Sequence, residues 1–277
     1  MTAPLSVAQA LACAAALGLD RVDAQALLGH RLQRPRSWLI AHDGDALDPV
    51  TTAAYLADCR QRADGMPVAY LLGQREFHGL LLQLTPDVLV PRPDTETLVD
   101  WALELLPALG PHPQVLDLGT GSGAIALAVA HRQPAACVSA TDLSPAALAV
   151  ARANAQRLGL AVAFHPGSWW QALPADTVFD LVLSNPPYIA GDDVHLPALR
   201  HEPLLALSPG GDGLDALRAI VAGAPARLRP GGWLLLEHGW DQADAVAGLL
   251  RQAGFELVAT RRDLGGQPRC TGARRPA

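Results

Sequence analysis

The run Val115-Leu116-Asp117-Leu118-Gly119-Thr120-Gly121-Ser122-Gly123-Ala124 constrains the fold more than any other part of the chain. An apolar strand breaks there into alternating glycines and reopens as a helix. Glycines at that spacing let the backbone turn sharply and approach a ligand closely, beside the amides of a helix N-terminus. The chain beyond residue 113 continues in the same style. Strand candidates Val115–Leu118, Cys137–Thr141, Ala161–His165, Phe179–Ser184 and Trp233–Glu237 alternate with helix candidates Ala124–Arg132, Pro145–Leu158, Leu214–Leu228 and Asp241–Ala253. Continuous apolar strands between amphipathic helices predict an α/β fold with a parallel sheet covered on both faces. Glu256–Arg262 and Arg269–Gly272 predict closing strands, antiparallel to the rest.

Residues 1–72 read differently. Ser6 caps an Ala/Leu-rich helix that stops at Gly18, and the series Val22, Ala26, Leu27 predicts a second helix ending at Gly29. Asp48-Pro49 is an N-cap followed by a first-turn proline, opening a helix that runs to Gly65. A small helical bundle accommodates all three. From Gly73 the period changes: Gln74–His78, Gly79 and Leu80–Thr85 predict a β-hairpin. The prolines of Val90-Pro91-Arg92-Pro93-Asp94-Thr95-Glu96 then hold an extended segment, and Asp94 is placed to cap the next helix. The expected organisation is a helical domain over 1–72, a hairpin and extended linker over 73–95, and the α/β domain over 96–277.

Composition narrows the chemistry. All 21 basic residues are arginine, so a Walker-type P-loop, a Schiff-base lysine and a kinase lysine are excluded together. A net charge of -6 gives no general attraction to nucleic acid. The basic run Arg261, Arg262, Arg269, Arg274, Arg275 reads as a solvated end. Cys13, Cys59, Cys137 and Cys270 form no C-x-x-C, which points to a reducing compartment. The nine histidines show no H-E-x-x-H spacing, so no metal site is expected. The first twenty residues lack the basic start of a leader, and no stretch is long enough to span a bilayer. A cytoplasmic enzyme without membrane contact is the expectation.

Two constellations carry chemistry. The glycine turn is followed by Asp142 at the end of the next strand, where a carboxylate can accept from both hydroxyls of a ribose. These residues predict a nucleoside-cofactor site, and leave NAD and S-adenosylmethionine both open. The second constellation, Ser184-Asn185-Pro186-Pro187-Tyr188, ends the fourth strand of the α/β domain, at the sheet edge where open α/β folds bind ligands. The asparagine oxygen and the carbonyl of Pro186 can together hold both hydrogens of a planar NH2 group. Tyr188 offers a ring face for the group that carries it. Such a slot suits methylation of an amide or an exocyclic amine, whose lone pair is delocalised.

With VLDLGTGSGAIALA and SNPPY in place, the sequence resembles the class I S-adenosyl-L-methionine-dependent methyltransferases that methylate amino groups. Gly73-Gln74-Arg75-Glu76-Phe77, Val90 through Glu96, Glu202-Pro203 and Leu235-Leu236-Glu237-His238-Gly239 narrow the resemblance to the release-factor glutamine methyltransferases of the PrmC/HemK type. That resemblance implies a Rossmann-like domain with a mostly parallel seven-stranded sheet. It implies N5-methylation of the glutamine in the GGQ motif of class I peptide chain release factors, a step serving translation termination. Asp117, Gly119, Thr120, Gly121, Ser122 and Gly123 would then line the methionine and ribose part of the cofactor, with Asp142 at the ribose, Trp169 by the adenine and Asn185 between cofactor and substrate. Asn185 and Pro186 would accept from the glutamine amide, and Pro187 and Tyr188 would shape its slot. The family usually carries an acidic residue where this chain has Ser168, which bears on cofactor affinity.

The rival substrates are an adenine N6 or cytosine N4 amine of a nucleic acid, and a glutamine of a ribosomal protein. The acidic charge and the lack of a basic reading domain weigh against the first. An NAD-dependent oxidoreductase is allowed by the glycine turn but lacks a proton-relay pair. Glu237 and His238 read as structural. Gly265-Gly266-Gln267 repeats the supposed target sequence within the chain and reads as a chance turn.

Overall fold

The computed structural model describes residues 4–277; the first three, at the head of the predicted helical domain and of the segment scanned for a leader, lie outside the described residues. The chain divides into two compact units, 1–74 and 75–277.

The first unit holds α1 (Val7–Ala16), α2 (Arg21–Leu32), α3 (Arg36–Ala41), α4 (Pro49–Ala63) and α5 (Val68–Leu72). Ser6 and Gln9 form a reciprocal capping box on α1, and Asp48 accepts from Val50 N and Thr51 N at the start of α4. Caps of this kind are worth about 1 kcal/mol each. Leu27, Leu28, Leu39, Tyr55 and Cys59 bury completely between the helices. The expected stop at Gly29 is not a stop. α2 runs on to Leu32, and Gly29 is buried because a Cβ there would sit 2.8 Å from Arg34 O. Its small size serves packing, not termination. The chain turns instead at Gln33, in the left-handed region at φ 52°.

The second unit opens with the hairpin β1 (Gln74–Phe77) and β2 (Leu80–Gln83), then α6 (Glu96–Leu105). His78 and Gly79 both have positive φ, as a two-residue turn of matching twist requires. Asn154 secures the hairpin, accepting from Gln83 N at 2.7 Å and donating to Gln83 O at 3.0 Å. The expected Asp94 cap is absent. Pro93–Thr95 wind a turn of 3-10 helix, which puts Thr95 at the cap position of α6 and frees Asp94 to pair with Arg269 at 3.2 Å.

The remaining elements are β3 (Gln114–Leu118), α7 (Ala124–Arg132), β4 (Cys137–Asp142), α8 (Pro145–Leu158), β5 (Ala163–Pro166), β6 (Phe179–Ser184), α9 (Leu204–Leu207), α10 (Asp215–Arg227), β7 (Leu228–Glu237), α11 (Ala243–Gln252), β8 (Glu256–Arg262) and β9 (Pro268–Arg274). Seven strands form one sheet in the order β5-β4-β3-β6-β7-β9-β8. The first five pair in parallel, and β9 and β8 close the sheet antiparallel. Side-chain alternation divides the core. Val115, Leu181, Leu183 and Leu235 meet α6 and α7, whereas Leu116, Leu118, Val182 and Leu234 meet α10 and α11. Strand order reverses between β3 and β6, so the crevice for a ligand opens at their carboxyl ends.

Candidate active site

The two chemical constellations meet at that crevice. Leu118 pairs with Ser184 across β3 and β6, so Gly119 and Asn185 leave the sheet side by side. The Ser184 hydroxyl donates to Leu118 O at 2.6 Å and ties the two strand ends together. A cavity of about 380 Å³ opens there, and its wall includes Gly119, Gly121, Asp142, Trp169, Asn185 and Pro187.

The glycine turn is built from backbone. Gly119, Gly121 and Gly123 have φ of 74°, 55° and 87°, the left-handed region where a side chain is strained. Gly119 N and Thr120 N both donate to Thr141 O at 2.9 Å, Gly121 N donates to Asp142 Oδ2 at 2.8 Å, and Gly123 N donates to Thr120 O at 2.9 Å. These amides are spent inside the fold. A pyrophosphate needs several such donors free, so the turn fits a ligand that asks for close approach and acceptors rather than anion binding. Trp169, itself at φ 44°, packs its ring on Gly119, where a Cβ would meet Cζ3 at 3.2 Å. A non-glycine residue held at positive φ costs about 1–3 kcal/mol and is found where a site needs it.

Behind the wall stand the other residues singled out in the turn. Asp117 is fully buried and accepts from Thr120 Oγ1 at 2.6 Å and from Ala126 N at 3.3 Å. Burial pushes its carboxyl up to about 7, with the nearby Asp142 charge adding to the shift. Ser122 is buried, its carbonyl taken by Asn154. A Cβ on Gly123 would meet Leu127 Cδ1 at 2.9 Å, so that glycine seats α7. Asp142 also accepts from Ser144 N at 2.8 Å, and burial raises its pKa. Of Trp169 and Trp170, only the first reaches the cavity; Trp170 donates to Ile220 O at 3.0 Å on α10.

The Asn-Pro-Pro-Tyr side is built from side chains. Asn185 donates through Nδ2 to Thr95 Oγ1 at 3.1 Å, which leaves Oδ1 as the acceptor for a ligand in the cavity. Pro186 is buried and, lacking an amide, can offer only its carbonyl. Tyr188 turns its hydroxyl away from the cavity, to Glu237 Oε1 at 3.3 Å. Burial and the Glu237 charge raise the Tyr188 pKa.

Sequence reasoning missed part of the wall: Asp87, Val88, Leu89, Pro203 and Leu205 also line the cavity. Glu202 holds the two segments together, accepting from Val90 N at 3.1 Å and from Arg92 Nη2 at 2.5 Å. The Pro91-Arg92 and Glu202-Pro203 segments were visible as strings, but their pairing across 110 residues was not. The Gly265-Gly266-Gln267 run is the exposed turn between β8 and β9, with Gln267 N bonded to Asp263 Oδ1 at 2.9 Å. Among the described residues no group of His, Cys, Asp and Glu could hold a metal ion, and no helix is long and apolar enough to cross a membrane.

Comparison with known proteins bears on this geometry. Residues 98–212 match the family model described as the methyltransferase small domain, and residues 6–73 match that of the PrmC N-terminal domain. A protein of Bordetella pertussis named release factor glutamine methyltransferase is 56% identical over 257 residues, 92% of this chain and 95% of that protein. A protein of the same name from Xylella fastidiosa is 52% identical, covering 96% of this chain and 98% of that protein. Among solved structures, a methyltransferase of Pyrococcus furiosus superposes with a TM-score of 0.56 at 19% identity, over 72% of this chain and 90% of that one. The 16S rRNA N2 G1207 methyltransferase of T. Thermophilus, solved with AdoMet and guanosine, gives 0.56 at 22% identity, over 73% of this chain and 49% of that one. At those identities the two structures speak for the fold alone.

Proposed function

Because the chain belongs to the release factor glutamine methyltransferase family, we propose that it transfers a methyl group from S-adenosylmethionine to the side-chain nitrogen of a release-factor glutamine, that of the GGQ motif. The observation that carries this reading is the committed amide of Asn185: with Nδ2 given to Thr95, its oxygen is left to accept, and the next residue, Pro186, has a carbonyl but no amide to donate. Two acceptors and no donor suit an incoming NH2 group.

The cofactor fits the residues present. The glycine turn gives it close backbone approach without anion-binding amides, Asp142 stands where ribose hydroxyls would lie, and the Trp169 ring faces the cavity. Bound there, it supplies an activated methyl sulfonium, so the protein's task is placement. A near-attack arrangement needs donor carbon and nitrogen about 3–3.5 Å apart. Asn185 and Pro186 would hold the glutamine amide and favour the transition state, where nitrogen gains positive character and both N–H donations strengthen. Pro187 forms part of the cavity wall and fixes the backbone of the slot. Tyr188 braces the slot from behind through Glu237.

The helical unit of residues 4–74 would contribute to recognition of the release factor, and the reaction would take place in the cytoplasm, where termination occurs. The deciding assay offers labelled cofactor with purified release factor, with its GGQ→GGA variant and with duplex DNA. Label on the intact release factor alone is the expected result. Label on the variant or on DNA would overturn the substrate assignment.

A further inference from the structure

The helical unit holds a cavity of its own, apart from the glutamine slot. It measures about 470 Å³ and lies among α2, α3 and the end of α5, with Gln25, His30, Gln33, Arg34, Arg36 and Gln74 supplying the polar part of its wall. Among the described residues no carboxylate lines it, although the chain as a whole carries a net charge of -6.

Two features of that wall do not suit an idle surface. The first is Gln25, on the buried face of α2 and only 3% exposed, whose Oε1 has no hydrogen-bond donor in the protein. Buried side-chain acceptors are nearly always paired, and this one belongs to a cavity wall instead. The second feature is charge. The acids of α2 and α4 are already engaged, Asp23 with Arg62 and Asp58 with Arg31, both at 2.6 Å. Among the described residues neither Arg34 nor Arg36 has a carboxylate partner, and both are exposed. Arg34 is held over the ring of Trp38, 5.6 Å from its centroid, which fixes where its charge stands.

An occupant that satisfies this wall brings an N–H donor for Gln25 and anionic oxygens for the two arginines. The phosphate diesters of a nucleic acid supply only the second. A peptide with acidic side chains supplies both, through its main-chain amides and its carboxylates.

We propose that this cavity is a second contact with the protein substrate, taking an acidic peptide segment of the release factor distinct from its glutamine loop. A main-chain N–H of the segment donates to Gln25 Oε1, and its carboxylates pair with Arg34 and Arg36. The inference rests on the reading of the chain as a methyltransferase acting on a release factor. Such a contact is made equally by bound substrate and transition state, so it lowers KM and leaves kcat alone.

The test uses the full chain and intact release factor, measuring kcat, KM for the release factor, cofactor affinity and melting temperature. Arg36→Glu reverses one charge, and an acid suits the first turn of a helix, so folding should not suffer. KM should rise about tenfold with kcat and cofactor affinity within about twofold, whereas Arg36→Lys, which keeps the charge, should stay within about threefold of the wild-type KM. Added salt should raise the wild-type KM more steeply than that of Arg36→Glu. Gln25→Leu removes the acceptor without shrinking the side chain. It should raise KM about threefold to tenfold and leave the melting temperature level or higher, because no internal bond is lost. A lowered melting temperature would show that the oxygen serves the fold, and an unchanged KM in both variants would show that nothing docks there; either overturns the proposal. An oligoglutamate peptide should compete with the release factor on the wild-type enzyme and not on Arg36→Glu. Competition by short duplex DNA and not by the peptide would put a nucleic acid in the cavity and overturn the assignment. Failure of the wild-type enzyme to label the release factor at all removes the premise, whereas normal labelling with a wild-type KM in the variants removes only the second contact.

Discussion

The two walls of the crevice are made in opposite ways. On the β3–β4 side the ligand surface is backbone: three glycines at positive φ, with the amides of Gly119, Thr120 and Gly121 bonded to the end of β4. On the β6–β7 side it is made of side chains from three distant segments, Asn185 bonded to Thr95 and Tyr188 bonded to Glu237. A wall of backbone tolerates changes of side-chain chemistry but not added volume. A wall of hydrogen-bonded side chains tolerates modest volume changes but not the loss of a donor or acceptor. Substitutions on the two sides should therefore separate cofactor affinity from turnover.

The largest effect is expected at Asn185. Asn185→Ala removes the acceptor that strengthens as nitrogen gains positive character, and turnover should fall about 10²–10³-fold. Cofactor affinity, measured by equilibrium binding, should stay within a few-fold. Comparable losses in both would erase the distinction between the walls.

The opposite signature is expected at Gly119. A side chain there must sit at φ 74° and would press on Trp169 from 3.2 Å. Strain of about 1–3 kcal/mol converts to roughly a five- to hundredfold loss in cofactor affinity, with turnover at saturating cofactor much less affected. Gly121→Ala gives the sharper control, because at φ 55° its Cβ meets nothing within 4 Å. Only the conformational cost remains, about 1–2 kcal/mol. A larger loss at Gly121 than at Gly119 would count against Trp169 as part of the cofactor wall.

The pH profile offers a contrast of another kind. Burial pushes both Asp117 and Glu237 up to about 7, well above their unfolded values near 4. The native state therefore binds more protons than the unfolded state between roughly pH 4 and 7, and stability from these two groups is lost as pH rises through 7. Lowering pH from 8 to 6.5 should raise the melting temperature of the free enzyme. His238, held neutral by burial, works the other way at lower pH, which sets the bottom of that window. The charged or titratable groups around Glu237 are Arg269, Asp94, Tyr188 and Cys270. A melting temperature that falls as pH drops from 8 to 6.5 would contradict the raised values of these two carboxyls.

These contrasts follow the line between what was legible in the sequence and what was not. Asp117, just ahead of the glycine turn, and Asp142 are only 25 residues apart, and the strand and helix bounds of α7, α8 and β6 could be read from apolar runs and flanking caps. The parallel pairing of the strands followed from the alternation, though their order did not, and SNPPY marked the sheet edge that lines the cavity. Thr95 was not legible, because in sequence Asp94 is the better cap; only the turn begun by Pro93 moves the helix start past both. Glu237 was read as structural from its place at a strand end, but its bond to Tyr188, 49 residues away, was not visible in the sequence. Gly29 misled for a related reason, a glycine kept small by a carbonyl that approaches from Arg34. Local rules carried the backbone wall, and long-range pairing carried the rest.

The smallest effect expected concerns Ser168, where the family resemblance leads one to expect an acidic residue. Ser168 lines the cavity beside Trp169, and its side chain makes no cap bond to the turn it precedes. A carboxylate there would accept from an adenine amino group more strongly than a hydroxyl does, by about 1 kcal/mol for a charged over a neutral acceptor. Ser168→Asp should therefore tighten cofactor binding roughly fivefold, with kcat unchanged, since the residue lies on the backbone wall and away from Asn185. The new charge would join Asp142 on the same cavity wall, and that repulsion works against the gain. The gain should therefore shrink at low salt, where Asp142 is felt most. Weaker binding at every salt concentration would show that the adenine does not lie against Ser168, and would leave Trp169 as the sole candidate for that contact.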